Sequence, residues 1–237
     1  MSNLVDFFVI GAMKSGTSSL RGALGQHDDI GMAGKELHFF SKAGNFDLGV
    51  SWYHSHFEDM QDKRVWGEKS PSYAPSTLAP ERIKSYNPDA RILFIMRQPA
   101  RRAASQYQHS QRRQKGGAVP IADDVNDTDR PSSSYIFRSQ YDRQIDYWRS
   151  FFPAEQMMLL IFEEVMAAPE LWLDHIQDFI GVQRQTLTWG HNNPTKPKIK
   201  KQYEVSAEDM ASLHRVLTPT IDAVEQRLGR ALPLWRS

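Results

Sequence analysis

Hydrophobic and polar positions alternate in blocks along the chain, and these blocks predict a succession of strands and helices. Short apolar runs predict buried strands over residues 4–12, 64–67, 91–96 and 157–162. Apolar positions at helical spacing, bounded by proline, serine or glycine, predict helices over residues 17–24, 80–86, 99–114, 136–152, 169–180, 206–217 and 219–229, with a short helix near 52–57. Residues 26–48, 115–134 and 183–204 are rich in glycine, proline or polar side chains and are predicted to be loops.

Strands that alternate with helices at this spacing predict an α/β fold. We expect one domain over residues 1–237, with a central, mostly parallel sheet and helices on both faces. The apolar content of 40% in 237 residues is enough for one sizeable core. Within this domain we expect residues 115–134 to be a mobile loop and residues 183–204 a basic loop.

Composition narrows the possible partners. The formal net charge is +1, so no overall field attracts nucleic acid or a membrane, and an anion site has to come from local clustering. Cysteine is absent, which excludes disulfides and a thiol nucleophile in this chain. No signal peptide or membrane span is recognisable in the sequence, so we expect a cytoplasmic protein.

Residues 8–20, FVIGAMKSGTSSL, lead from a strand through a small polar turn into a helix, and this pattern is typical of a phosphate cradle. Gly11 and Gly16 allow the backbone to curl, Lys14 adds a cation, and Thr17 and Ser18 add hydroxyls at a helix N-terminus. The stretch differs from the nucleotide-triphosphate P-loop because its lysine precedes the second glycine. An ordinary strand–turn–helix junction is the alternative.

Three cations follow three of the predicted strands. Lys14 follows the first strand, Lys69 the second and Arg97 the third. Ligands of parallel sheets bind outside the carboxyl ends of the strands, so the three side chains predict a convergent anion site. Each cation taken alone could equally be a solvated surface charge.

Four motifs in this order and spacing, GAMKSGTSSL, KELHFF, GEKSPSY and RQPARRAASQYQHSQR, resemble the sulfotransferases that use 3′-phosphoadenosine 5′-phosphosulfate (PAPS). Within them the chain is most similar to the heparan sulfate N- and 3-O-sulfotransferase branch. The resemblance is strong over residues 6–114, weaker through IDYWRSFFP, and returns in LGRALPLW. It implies a P-loop-like loop that binds the phosphosulfate, with PAPS as cosubstrate and no metal.

The resemblance also implies where the donor nucleotide lies. The 5′-phosphosulfate would be held by Lys14, Ser15, Gly16, Thr17 and Ser18. Arg97 and Ser105 match the clamp on the 3′-phosphate. The relatives close a glycine-containing basic loop over the nucleotide. In this chain the lysine-rich stretch 192–201 lacks that glycine, and Lys198 and Lys200 are the candidates for contact with the nucleotide. A solvated basic loop is the alternative.

Glu36 matches the general base that the resembling enzymes use on an acceptor hydroxyl. Lys69 corresponds to a lysine near the reacting sulfate, and His38 is a candidate participant two residues after Glu36. A carboxylate between Lys35 and Lys69 is expected to stay ionised. The alternatives are a surface carboxylate for Glu36 and a packed imidazole for His38.

These residues predict an enzyme that moves the sulfuryl group of PAPS to a hydroxyl, less readily an amine, of a carbohydrate or small molecule by metal-independent in-line displacement. Two other functions stay open at this point. One is a nucleotide-dependent kinase built on the same cradle, and the other is a nucleotide-binding protein without chemistry. The acceptor and the oligomeric state are not indicated by the sequence.

Overall fold

The computed structural model describes residues 4–125, 134–190 and 203–236. Parts of the predicted mobile loop 115–134 and of the predicted basic loop 183–204, including Lys198 and Lys200, lie outside the described residues. The strands in the described residues are β1 (Phe7–Gly11), β2 (Ile30–Met32), β3 (Val65–Lys69), β4 (Arg91–Met96) and β5 (Met157–Ile161). All the pairings between them are parallel, and their order across the sheet is β2-β3-β1-β4-β5. The predicted α/β class and parallel sheet are confirmed.

Helices connect the strands. The α-helices in the same residues are α1 (Thr17–Leu24), α2 (Ala43–Phe46), α3 (Gly49–His54), α4 (Ala79–Tyr86), α5 (Pro99–Arg113), α6 (Ile121–Val125), α7 (Tyr141–Arg149), α8 (Phe162–Ala167), α9 (Pro169–Ile180), α10 (Ala207–Leu228) and α11 (Pro233–Arg236). Proline opens α5 and α9 because its fixed φ suits the first helical position, and Gly181 ends α9 in the left-handed region at φ 86°. No helix in the described part of the chain is long and apolar enough to cross a membrane.

The chain divides into two compact units. The first consists of residues 1–96 and 147–192 and contains the whole sheet, whereas the second consists of residues 97–146 and 193–237 and is helical where it is described. The boundaries predicted for one domain over residues 1–237 stay a prediction.

In the first unit, apolar side chains cover both faces of the sheet. Phe7 and Val9 of β1 belong to a buried cluster with the inner faces of α1 and α9. Phe8, between them, points the other way and contacts the rings of Phe40 and Tyr73. Phe40 in turn packs against Tyr86 of α4, with ring centroids 5.3 Å apart, so a helix lies on this face as well and the prediction of helices on both faces is confirmed. Trp148 and Phe152, two apolar positions of the segment predicted as a helix over 136–152, are fully buried.

In the second unit, α5 packs against α10 through small and branched side chains. Ala100 and Ala103 of α5 are buried with Leu213 and Leu217 of α10. Arg102 of α5 is also fully buried, and its guanidinium donates to Ser139 Oγ at 2.7 Å. Burial lowers the pKa of Arg102 to about 10.

Several predictions of secondary structure are wrong. Helices α2 and α6 form inside predicted loops, and the helix predicted over residues 136–152 is shortened to α7. Residues 26–48 are predicted to be loop, yet β2 forms at the sheet edge, where the three residues Ile30–Met32 give too short a run, interrupted by a glycine, to recognise as a strand. Two helices were expected to meet at Thr218–Pro219, yet α10 continues through Pro219. Its buried residues on both sides of the proline hold one continuous apolar face, and this packing outweighs the lost backbone hydrogen bond.

Candidate functional site

The turn from β1 to α1 depends on two left-handed residues. Lys14 has φ 75° and Gly16, the residue before α1, has φ 85°. A Cβ on Gly16 would lie 2.8 Å from the ring of Phe162 and 3.3 Å from that of Trp189, so only glycine fits between them. The backbone N–H of Ala12 donates to Ile95 O at 2.6 Å and ties the turn to β4.

The N-terminus of α1 has the properties of an anion site. No side chain of residues 4–125, 134–190 or 203–236 caps the helix, and its first turn contains no acidic residue. Ser15 is fully buried, and its hydroxyl has no hydrogen-bond partner among the described residues. Backbone N–H groups and hydroxyls at a helix N-terminus favour a negatively charged group.

Lys69 reaches from the end of β3 to this helix. Its side chain is 3% exposed, and its ammonium group donates to Glu36 Oε1 and, at 3.3 Å, to Ser18 Oγ. Burial lowers the pKa of Lys69, while the hydrogen bond to Glu36 and its charge oppose that change. The contact joins the predicted base, the predicted cation and the first turn of α1.

Glu36 lies between two nitrogen groups. His38 Nε2 is 3.3 Å from its Oε2, and Lys69 contacts its Oε1. The hydrogen bond from His38 and then the hydrogen bond and charge of Lys69 lower the pKa of Glu36 to about 2, although partial burial acts in the opposite direction. With 39% of its side chain exposed, the carboxylate is ionised and still accessible to another molecule.

His38 is held at three points by the segment that follows β3 and by Glu36. Its backbone is left-handed, with φ 52°, and its N–H donates to Ser70 Oγ at 3.0 Å. Its Nδ1 lies 2.7 Å from Ser72 Oγ. A neutral ring that donates from Nε2 to Glu36 accepts the hydroxyl proton of Ser72 at Nδ1.

The aromatic residues near these motifs form packing rather than an open wall. Phe39, Phe40, Tyr53 and Tyr73 are buried, and Phe39 stacks on Tyr53 with ring centroids 4.6 Å apart. Trp52, which is half-buried, stacks on the same phenylalanine. Their burial favours core packing over a role as walls that stack on a sugar.

The two predicted residues of the 3′-phosphate clamp belong to the second unit. Arg97 comes directly after β4, and its carbonyl accepts a hydrogen bond from the hydroxyl of Tyr141 at 2.8 Å. Ser105 is half-buried on α5. Their role stays a prediction.

Contacts in the first unit thus bring together Ser18, Glu36, His38 and Lys69. Sequence reasoning missed Ser70 and Ser72, which hold His38. The signal for them was the polar run after β3 in GEKSPSY, from which only the lysine was singled out. No group of three or more His, Asp or Glu side chains within residues 4–125, 134–190 and 203–236 is arranged to bind a metal ion, and metal-independent transfer stays a prediction.

Comparison with known proteins identifies the family. The model described as "Sulfotransferase family" matches residues 45–186, which is more than half of the chain. The chain belongs to the sulfotransferase family. The resemblance drawn from the four motifs is confirmed.

The sulfotransferase relatives include two human enzymes of one series. Heparan sulfate glucosamine 3-O-sulfotransferase 3B1 from Homo sapiens is 30% identical over 182 residues, which cover 74% of this chain and 46% of that protein. The 3A1 enzyme from Homo sapiens is also 30% identical over 182 residues, covering 74% of this chain and 44% of that protein. The chain spans a little less than half the length of these relatives.

Solved sulfotransferase structures share the fold. The crystal structure of a sulfotransferase from Alicyclobacillus acidocaldarius superposes with a TM-score of 0.78 at 25% identity and covers 98% of this chain and 99% of that one. A mouse sulfotransferase complexed with PAP superposes with a TM-score of 0.53 at 16% identity, covering 89% of this chain and 63% of that one. The second likeness concerns the fold alone.

Proposed function

We propose that the chain transfers the sulfuryl group of PAPS to a hydroxyl group, less readily to an amine, of a carbohydrate or small-molecule acceptor. The observation that carries the proposal is the contact of Lys69 with both Glu36 and Ser18 in a chain of the sulfotransferase family. This contact puts a carboxylate beside a cation and beside the N-terminus of a helix that suits an anion. Membership of the sulfotransferase family supports PAPS as the donor, and the names of the human 3-O-sulfotransferases support an O-linked acceptor.

The cradle fits the phosphosulfate end of the donor. The uncapped N-terminus of α1, the buried hydroxyl of Ser15 and the cation of Lys14 offer donors and positive charge on one short segment, with Thr17 and Ser18 directly behind. During transfer, negative charge builds up on the oxygen between phosphorus and sulfur. Cations and N–H groups fixed at that position stabilise the transition state more than the ground state.

Glu36 acts on the acceptor hydroxyl in this proposal. As the acceptor oxygen forms its bond to sulfur, the bond from sulfur to the phosphate oxygen breaks, and adenosine 3′,5′-bisphosphate leaves. Glu36 takes the proton of the acceptor hydroxyl, and His38 holds the carboxylate in place through its 3.3 Å contact. Arg97 and Ser105 bind the 3′-phosphate in this proposal, with Lys198 and Lys200 contributing from the basic loop.

His38 and Lys69 together set the strength of the base. With a pKa of about 2 before donor binding, Glu36 is ionised but binds a proton weakly. The sulfate of the donor competes for the ammonium group of Lys69. Because loss of a neighbouring cation raises the pKa of a carboxylate, Glu36 becomes a stronger base when the donor is bound.

The proposal is tested with labelled PAPS and a variant pair. Wild-type protein is incubated with ³⁵S-labelled PAPS and a panel of glycans and hydroxylated metabolites, and adenosine 3′,5′-bisphosphate binding is measured by calorimetry. Glu36→Gln is expected to lose at least about 100-fold in turnover, in line with the loss of a general base, and to keep nucleotide affinity within about twofold. Glu58→Gln, at an exposed position away from the site, is the matched control.

Two outcomes contradict the proposal. Absence of labelled product across the panel, together with absence of nucleotide binding, would exclude a PAPS-dependent enzyme. Loss of nucleotide binding in Glu36→Gln would show that the residue holds the donor instead. Family membership does not favour the kinase alternative, which requires ATP binding that depends on magnesium and does not depend on a 3′-phosphate. Nucleotide binding without any labelled product would instead indicate a nucleotide-binding protein without catalytic activity.

Other parts of the proposal rest on the sequence. We expect the acceptor to be a bacterial-type glycan, a lipid-linked sugar or a secondary metabolite rather than heparan sulfate, because the basic residues of the sequence indicate no long cleft. A cytoplasmic location likewise stays a prediction.

A further inference from the structure

A carboxylate that the proposed reaction does not use is buried beside the site. Glu68 precedes Lys69 on β3, so its side chain points to the opposite face of the sheet, and it is 0% exposed. Its partners among the described residues are three hydroxyls. Ser70 donates to Oε1 at 2.6 Å, Tyr53 donates to Oε2 at 2.7 Å, and Tyr73 lies 2.8 and 2.9 Å from the two oxygens.

A carboxylate fixes the direction of every hydroxyl that contacts it. Each hydroxyl has a single proton, and an ionised carboxylate can only accept. Ser70 and Tyr73 therefore turn their protons to Glu68 and their lone pairs away from it. A neutral amide at the same place would force at least one hydroxyl to accept instead.

The lone pairs of two of these hydroxyls receive the backbone of the segment that carries Glu36. Ser70 Oγ accepts the N–H of His38 at 3.0 Å, and the hydroxyl of Tyr73 accepts the N–H of Phe40 at 3.3 Å. Residues 34–42 form neither helix nor strand, so no sheet or helix hydrogen bonds fix this segment. The hydroxyl of Tyr53 completes the shell of Glu68 and contacts no backbone N–H of the segment.

We propose that Glu68 is a positioning residue that holds residues 36–40 in place by orienting the hydroxyls of Ser70 and Tyr73 toward the N–H groups of His38 and Phe40. This role rests on the proposed function in one respect, because the consequence for turnover assumes that Glu36 is the base. The consequence for the segment itself does not depend on any activity.

The local energetics agree with a positioning role. Burial raises the pKa of Glu68, while hydrogen bonds from Ser70, Tyr53 and Tyr73 oppose the rise. Burying a charge is costly compared with burying an apolar side chain of similar size, so this carboxylate is a poor choice for core stability alone.

The direct test is amide hydrogen exchange at His38 and Phe40, measured by NMR on the whole chain. Glu68→Gln is close in shape but supplies an amide NH₂ group that must donate to a hydroxyl. We expect exchange at Phe40 to accelerate about tenfold or more, because Tyr73 contacts both carboxylate oxygens and therefore faces the amide NH₂ group in either orientation of the glutamine. Exchange at His38 accelerates as well in the orientation that turns the NH₂ group to Ser70. Tyr53→Phe, which removes only the third hydroxyl, is the matched control and should leave both amides within about threefold of wild type.

Two further variants test the Ser70–His38 contact and the Tyr73–Phe40 contact separately, and they replace Glu68→Gln if that variant does not fold. Ser70→Ala should accelerate exchange at His38 and not at Phe40, and Tyr73→Phe should do the reverse. Equal acceleration at both amides in all variants, Tyr53→Phe included, would indicate general loosening and overturn the proposal. Unchanged exchange in Ser70→Ala and Tyr73→Phe would overturn it as well.

Kinetics supply the second readout. Glu68→Gln should lower kcat about tenfold or more and leave both the KM for PAPS and the affinity for adenosine 3′,5′-bisphosphate within about twofold, because the donor site lies on α1. The double variant Glu68→Gln/Ser70→Ala should be less impaired than independent effects predict, since Glu68 acts through Ser70. If neither the wild type nor any variant transfers sulfate, while hydrogen exchange at the two amides changes as expected, the proposed function fails and the positioning role stands.

Independent, additive effects of Glu68→Gln and Ser70→Ala on kcat would contradict the positioning role.

Discussion

At the scale of single residues, the charge of Glu36 is coupled to the fold. His38 and Lys69 contact the carboxylate only in the folded protein, and they lower its pKa from the ordinary value of 4.5 to about 2. Between these two pH values the unfolded chain binds the proton and the folded chain does not. Glu36 therefore contributes stability that is fully present above pH 4.5 and is lost as the pH falls towards 2.

This coupling predicts a pH dependence that one substitution weakens. We expect the free energy of unfolding of the wild type to fall more steeply between pH 4.5 and pH 2 than that of Glu36→Gln, because glutamine does not titrate. Urea unfolding at several pH values measures both slopes. Glu58→Gln, on an exposed residue, should keep the wild-type slope. Equal slopes for wild type and Glu36→Gln would contradict the lowered pKa.

At the scale of elements, Gly67 sets the spacing of three neighbouring strands. It pairs with Phe7 of β1 and with Met32 of β2, and both side chains lie over it. A Cβ at this position would lie 2.6 Å from the sulfur of Met32 and closer still to the ring of Phe7. Because this glycine has no Cβ, the side chains of Phe7 and Met32 can lie over it, and β1 and β2 can pair with β3 on either side.

Gly67→Ala is accordingly expected to lower the free energy of unfolding by about 1–3 kcal/mol through overpacking. Urea unfolding monitored by circular dichroism measures the change. Gly44→Ala is the matched control, because a Cβ there would meet nothing within 4 Å and the residue lies in α2. A stability of Gly67→Ala equal to that of the control would mean that the strands adjust without cost.

Helix α10 carries a second test at this scale. Pro219 is exposed inside the helix, where it removes one backbone hydrogen bond. Pro219→Ala should raise the free energy of unfolding by about 1–2 kcal/mol, since the restored bond exceeds the entropy that proline removes from the unfolded chain. Pro169→Ala, at the first position of α9, should bring no such gain. Thermal unfolding of both variants distinguishes the two positions, and a loss of stability in Pro219→Ala would contradict the argument.

The same elements explain how much the sequence could predict. The run RILFIM gave β4 at its observed bounds, and Pro169 with Gly181 gave α9 at its observed bounds, because local preference and packing agree there. Tertiary packing decided elsewhere: β2 exists because β3 pairs with it, and α10 continues because its apolar face is continuous.

In the site, resemblance identified Glu36 and Lys69 as neighbours of the reacting group, and they are in contact. The anchors of His38 lie more than 30 residues along the chain, and no periodicity reports such a contact. The polar run after β3 indicated that Ser70 and Ser72 could face the site, but their contact with His38 was recognisable only with the fold.

At the scale of the whole molecule, charge is nearly balanced. The formal net charge of +1 at pH 7 counts the eight histidines as neutral, so acidification to about pH 5.5 adds positive charge before most carboxylates lose theirs. We expect the chain to be less soluble at pH 7.5 than at pH 5.5, because a net charge near zero favours association. The polyethylene glycol concentration at the precipitation midpoint measures this. A midpoint that is equal or lower at pH 5.5, with the circular dichroism spectrum unchanged, would contradict the expectation.

The left-handed backbones of Lys14 and His38, at φ 75° and 52°, have a consequence for how such a protein responds to selection. A side chain in this region costs about 1–2 kcal/mol that glycine avoids, and both positions lie in the proposed site. A library randomised at these two codons and sorted only for folded protein should enrich glycine at both. The same library sorted for turnover should enrich lysine at position 14 and histidine at position 38. Selection for folding and selection for activity therefore favour different residues at the same two positions.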